Sequence, residues 1–367
     1  MTFKKNKYVK HILSLFILTS CATGSKNIQN QTFQAQIPQE ERVLEEILEY
    51  KKFFDSDLNV IQEFLEREEL NQDDRRQIKL LKTNYKKILS HSDYVLRLNS
   101  GNKYSQELIK FIYDSNLPIK ILWEGASQSA LPENLLDYKV NGFCSSLYED
   151  AINSILRNMN NDEGSTLVIY SDQYQDIAQN IISYSTQIWA IPYTASNFQD
   201  YAAEILGVRS SNKRFEKISS LNPNQKLQFN PRPRKDLKEI ILLVDPKNYK
   251  AMIPALRYHG GNNFKYLNFI SALEEVDDPL QLLDYEDSYI PISTYASKKI
   301  GSRDMKSLEG FLTKSVLQDW LLVQLLDQSG SKSTYVRGST GSIFYRSNSC
   351  SRREIPLQKI TSKLFSD

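Results

Sequence analysis

From residue 39 to about residue 93 the apolar positions keep a helical spacing. Val43, Leu44, Ile47, Leu48 and Phe54 fall near one face, Ile61, Phe64 and Leu65 continue a second segment, and Ile78, Leu81, Tyr85, Ile88 and Leu89 make a third. Asn71, with Asp74 three residues on, has the short polar side chain that satisfies free N–H groups in a first turn, so the third helix is expected to start there. The charges in between, among them Glu45, Glu46, Lys51, Lys52, Arg75 and Lys79, read as solvated faces. No period near 34 residues repeats strongly, so a helical solenoid is not expected.

From residue 94 the pattern changes to short apolar runs alternating with helical stretches. Strands are expected at 94–98, 118–123, 140–144, 166–170, 188–193, 239–244, 266–270 and 289–292, with helices at 105–113, 147–158, 173–183, 198–206, 247–258 and 308–326. Strand–helix–strand alternation requires crossovers, and crossovers place helices on both faces of parallel sheets, so residues 94–367 read as an α/β domain. The strand number fits two small sheets better than one barrel. A closing hairpin is expected from 341–345 and 355–360 around the polar turn 346–353. Trp123, Trp189 and Trp320 lie within apolar runs and read as core. His259, at the end of an apolar helix face and before Gly260-Gly261, reads as a helix-end residue rather than a base or ligand.

The first residues follow another rule. Lys4, Lys5, Lys7 and Lys10 precede a short apolar run at 12–18, then Leu18-Thr19-Ser20-Cys21. Such a run is too short to span ~30 Å of hydrocarbon, and reads as a cleaved signal peptide over residues 1–20. Its ending looks like a bacterial lipobox, which makes Cys21 the lipidated residue; an ordinary secretory leader that happens to end in Cys is the plainer alternative. Ala22 rather than Asp follows the Cys, so the expected location is the outer membrane, lipid-anchored and facing the periplasm. Residues 21–38, Asn- and Gln-rich and without apolar periodicity, read as a lipidated tether, and 39–93 as a short helical region.

Composition narrows the function. Of 367 residues, 40% are hydrophobic and 25% charged, which argues against global disorder and against a polytopic membrane protein. The 46 Lys and Arg exceed the 44 Asp and Glu only through the leader; removing its four lysines leaves 42 against 44, so no nucleic-acid partner is expected. There are three His, and His11 lies in the leader, leaving His91 and His259; three Cys cannot form a four-thiolate site. No metal or cofactor is therefore expected. With Cys21 acylated, Cys144 and Cys350 remain. Two buried free thiols is the simpler reading, although the periplasm permits a disulfide where the fold brings them together.

The chain holds no dinucleotide- or phosphate-binding glycine loop, no His-Glu-x-x-His and no Gly-x-Ser-x-Gly elbow. Ser-x-x-Lys occurs at Ser100–Lys103, Ser210–Lys213 and Ser329–Lys332 without the Ser-Asp-Asn and Lys-Thr-Gly companions that would make it a nucleophile motif. Enzymatic activity is not expected.

Three segments carry a resemblance. They are Ile205-Leu206-Gly207-Val208-Arg209-Ser210 with Arg214-Phe215; Phe229-Asn230-Pro231-Arg232-Pro233-Arg234-Lys235-Asp236-Leu237, running into a strand and on to Ile253-Pro254-Ala255-Leu256; and Gly338-Ser339-Thr340-Gly341-Ser342-Ile343, with Arg352, Arg353 and Ile355 beyond. Together they resemble the LpoA-type activators of class A penicillin-binding proteins. The resemblance implies a two-lobed type I periplasmic-binding-protein-like domain, here shortened in its helical arm and first lobe. It implies contact with a peptidoglycan synthase rather than a small-molecule ligand; a small-ligand-binding lipoprotein of the same fold is the alternative. Read physically, Pro231 and Pro233 force extended backbone that splays Arg232 and Arg234, a pair suited to carboxylates of a partner or to an intramolecular bridge with Asp236 or Glu239. Gly338 and Gly341 flank a short turn where positive φ is free of steric cost, with Thr340 between them.

Overall fold

The computed structural model describes residues 71–114, 118–125, 131–159, 164–194, 197–221, 228–276, 279–300 and 307–361, together with Gln62, Leu65 and Glu66. Cys21, the expected leader and tether, and most of the first two expected helices lie outside these residues. Everything described belongs to one unit, Ile37–Asp367.

Helix α1 (Gln72–Ser90) starts where its cap was expected: Asn71 Oδ1 accepts from the Asp74 N–H at 2.8 Å. It buries Ile78, Leu81, Tyr85 and Ile88. Strand β1 (Tyr94–Asn99), helix α2 (Ser105–Asp114) and β2 (Ile119–Glu124) follow. Next come α3 (Leu147–Arg157), β3 (Ser165–Tyr170), α4 (Gln175–Ile182), β4 (Ile188–Pro192), α5 (Phe198–Ile205) and α6 (Val208–Leu221). The remainder is β5 (Leu237–Leu243), α7 (Pro246–Gly260), β6 (Lys265–Asn268), β7 (Tyr289–Pro291), α8 (Thr294–Ser297) and α9 (Leu308–Gln328). The last strands are β8 (Thr334–Arg337), β9 (Ser342–Tyr345), β10 (Arg352–Glu354) and β11 (Leu357–Lys359).

These strands form a six-stranded sheet in the order β11–β7–β6–β5–β3–β4, a parallel pair β1–β2, and a three-stranded antiparallel sheet β10–β9–β8. The six-stranded sheet is parallel except for β11, which runs antiparallel to β7. Its central strand β5 is an almost unbroken apolar run in which Ile240, Ile241, Leu242 and Leu243 are fully buried, as a strand covered on both faces requires. Helix α7 lays Tyr249, Met252, Ile253 and Leu256 into the core. Helix α9 is buried nearly all round, through Leu312, Val316, Leu317, Trp320, Leu322 and Leu325 among others. Among the described residues, no helix is long and apolar enough to cross a membrane.

Several expectations are corrected. Residues 140–144 form a turn, not a strand; Gly142 has φ 94°, and only an isolated bridge joins Phe143 to Ser351. The closing hairpin is β9 with β10, so Arg352 and Arg353, expected in the turn, lie in its second strand, Arg352–Glu354. Pro356, lacking an N–H, ends that ladder, and β11 crosses to β7 instead. The alternation was masked because the inward residue of β10 is Arg353, 3% exposed, rather than an apolar one. Helix α6 was missed because it is polar and buries only Val208. Trp320 is core, but Trp123 is 55% exposed. His259 lies in the last turn of α7 as expected, while the capping N–H there comes from Gly261, at φ 61°.

Cys144 and Cys350 are joined in a disulfide, contrary to the free-thiol reading. The backbone explains it: Ser351 N–H donates to Gly142 O at 2.7 Å and Cys144 N–H to Ser351 O at 2.9 Å. That ladder brings the two Cα atoms to 4.9 Å, inside the range a disulfide needs. The bond is consistent with an extracytoplasmic domain.

Candidate functional site

The loop ahead of β5, which carries Pro231 and Pro233, is irregular, and it is held to the turn between α5 and α6. The Arg234 N–H donates to Leu206 O at 2.9 Å, and Gly207, at φ 75°, has Arg234 Cγ 3.0 Å from where a Cβ would sit. The Arg234 guanidinium lies 3.9 Å from the Trp189 ring centroid. Its Nε donates to Asp236 Oδ1 at 3.1 Å and a terminal nitrogen donates to Oδ2. This fork holds the Asp236 carboxyl below its ordinary pKa, the Arg234 hydrogen bond being the largest cause. Arg234 and Asp236 are thus paired with each other, whereas Glu239 is paired with Lys265 at 3.3 Å. Arg232 is exposed and has no ion-pair partner among the described residues.

The loop that carries Arg232 is set beside α6. Phe229, at the start of the loop, stacks on Phe215 of α6 at 4.2 Å between ring centroids, which sets the loop against that helix. Lys213, Arg214 and Lys217 on α6 and Lys235 in the loop are exposed, as is Glu216 among them, so exposed cations outnumber acids on these two segments. Arg209 is neutralised by Asp200 and Glu204. Ile218 and Leu221 on the same helix are 55% and 84% exposed, so the face mixes cations with uncovered apolar area. Sequence reasoning singled out Arg232 and quoted Arg214, but did not see that a helix carries Arg214 together with Lys213 and Lys217.

The turn expected at Gly338, Thr340 and Gly341 is a buried structural device. Gly341 has φ 153°, and a side chain there would begin 2.3 Å from Glu354 O. Gly338 does not need positive φ, a correction: it is fixed by space, since a Cβ would meet Ile343 Cδ1 at 2.5 Å and Asp319 Oδ1 at 2.7 Å. The fully buried Asp319 of α9 accepts from Ser339 N–H at 2.6 Å, from Thr340 N–H at 2.9 Å and from the Thr340 hydroxyl. Burial pushes its carboxyl up from the ordinary range, opposed by Arg353 and these donors. An acid inside the apolar run 316–326 was the signal for Asp319. Arg353 and Asp150 form a buried ion pair at 3.2 Å, with Arg353 also 4.3 Å from the Phe143 ring centroid.

A groove of 860 Å³ runs between α3 and α4, which the sequence did not indicate. Ser146 and Glu149 form a reciprocal capping box that fixes the start of α3. Tyr148 and Tyr174 both set their edges against Phe269, at 4.9 and 5.5 Å between centroids, and burial pushes both phenols up in pKa. Asn153, Asn180 and Tyr184 complete the polar wall. Among the described residues, no group of three or more His, Cys, Asp or Glu converges as a metal site requires. Of the Ser-x-x-Lys pairs, Ser329 caps α9 and its hydroxyl donates to Leu326 O at 3.1 Å, while Ser210 and Lys213 lie exposed on α6.

Compared with protein families, with characterised proteins and with solved structures, the chain matches none. The resemblance to LpoA-type activators therefore rests on the residues quoted for it.

Proposed function

We propose that this protein is a non-enzymatic lipoprotein, anchored at the outer membrane through Cys21, that regulates peptidoglycan synthesis by contacting a class A penicillin-binding protein. In this reading the small β1–β2 sheet is what remains of a first lobe, and the six-stranded sheet is the second lobe of a type I periplasmic-binding-protein-like domain. The observation that carries the reading is the excess of exposed cations on α6 and the Arg232 loop, which overlap two of the three segments that carry the resemblance. Exposed cations beside uncovered apolar side chains suit an acidic protein surface, and Arg234 holds the loop in place without being spent on the partner. A lipid tether raises the effective concentration of such a face near a membrane-bound synthase.

The test is binding of the purified chain to each class A penicillin-binding protein of its own cell. We expect one to bind, with affinity falling as salt rises, and with a triple variant Lys213→Glu, Arg214→Glu, Arg232→Glu weakening it about tenfold or more. No binding to any synthase contradicts the reading. The groove between α3 and α4 favours a second reading, a small-ligand-binding lipoprotein: its tyrosines and amides are the lining such ligands use. A ligand that raises the melting temperature, and loses that effect in Tyr148→Ala, distinguishes it.

A further inference from the structure

Among the described residues, the β1–β2 sheet is closed on one side only. On the β1 side, Gln328 at the end of α9 reaches across: its Oε1 accepts from Val95 N–H at 2.8 Å and its Nε2 donates to Val95 O at 2.9 Å. A side-chain amide there does what a neighbouring strand would do. On the β2 side, no strand among the described residues pairs with the edge. Parallel sheets are ordinarily wider and covered on both faces, and two strands seldom stand alone.

Strand β2 is also open at its surface. Alone among the described strands, it has no buried residue, and Leu122 and Trp123 are 37% and 55% exposed. The register puts Ile119, Ile121 and Trp123 on the face shared with buried Tyr94, Leu96 and Leu98. The core-side face of the sheet therefore runs out to an uncovered apolar rim.

The sequence of β2, Ile119-Lys120-Ile121-Leu122-Trp123-Glu124, is complementary to itself when turned antiparallel. With Leu122 opposite Leu122 of a second copy, Lys120 stands opposite Glu124 and Ile121 opposite Trp123, each pair twice about a two-fold axis. Opposite residues in antiparallel strands share a face, so the Lys–Glu pairs flank Leu122 on one side and the Ile–Trp pairs continue the apolar rim on the other. Glu124 already accepts from Arg97 at 2.8 Å, so each Lys120 would join an existing ion pair. A slip of one residue sets Ile119 against Glu124 and Lys120 against Trp123, which loses both kinds of match.

We propose that two copies of this chain join through the open edge of β2, antiparallel, giving a sheet ordered β1–β2–β2–β1 with Leu122 on the two-fold axis. The test uses the full chain. Under mild oxidation Leu122→Cys should cross-link to its own copy, because opposite Cα atoms lie about 5 Å apart. Lys120→Cys should not, being about 13 Å from its counterpart at the strand rise. In sedimentation, Lys120→Glu should raise the dimer dissociation constant about tenfold or more, and Lys120→Glu with Glu124→Lys should restore it. Position 120 is exposed, so loss of fold does not confuse the reading. A chain that stays monomeric, a dimer indifferent to Lys120→Glu, equal cross-linking at both positions, or a strand of another protein seated on β2 would each overturn the proposal.

Discussion

Asp319 shows what one residue can hold. Its carboxyl group is the common acceptor for three donors in the Gly338–Gly341 turn, all within a fully buried site. Asp319→Ala leaves those donors without a partner, and we expect a loss of about 2–4 kcal/mol in a denaturant titration, with Asp319→Asn intermediate. Arg234 and Asp236 make a weaker, testable pair. The Asp236 carboxyl is held below its ordinary pKa, so its contribution is present above the unfolded value and is lost as pH falls through the lowered one. Its side chain is 54% exposed, which keeps that contribution below about 1 kcal/mol. A carboxyl titration by NMR should show the depressed midpoint, and Arg234→Ala should return it toward the ordinary value. At this scale the sequence is legible where a residue acts on its own backbone, as with the Asn71 cap and the positive φ of Gly341. It is silent where two charges are buried together: Arg353 and Asp150 look like surface residues until α3 and β10 are placed side by side.

Among the elements, the disulfide ties the 141–146 turn to the loop before β10, closing 206 residues of chain. Removing it as Cys144→Ser with Cys350→Ser should lower stability by about 2–4 kcal/mol, and a reductant should do the same to the unaltered chain but nothing further to the double variant. An equal stability in all three states would mean that the backbone ladder and the Asp150–Arg353 pair hold that region unaided. Buried elements were readable because a strand or helix covered on both sides must be apolar, as β5 and α9 are. The exceptions have physical causes. Helix α6 covers almost nothing, so it has no apolar stripe to reveal it. The β9–β10 pairing depends on Pro356 breaking the chain and on an inward arginine, neither of which alternation can express.

For the whole molecule, α/β alternation was legible, but the partition into one mixed sheet, one parallel pair and one antiparallel sheet was not, because pairing is decided by contacts between distant segments. The same limit applies to the proposed contact face: Arg232 stood out beside two prolines, while only the Phe215–Phe229 stack shows that α6 and its exposed cations lie next to that loop. The proposed regulator acts through that face, by shifting the conformational equilibrium of a synthase rather than by chemistry of its own. The most direct measurement adds the purified chain to the class A penicillin-binding proteins of its cell and follows glycan polymerisation and peptide cross-linking separately. We expect faster cross-linking with one synthase, largely lost with the Lys213→Glu, Arg214→Glu, Arg232→Glu variant. Unchanged rates with every synthase would contradict the proposed function.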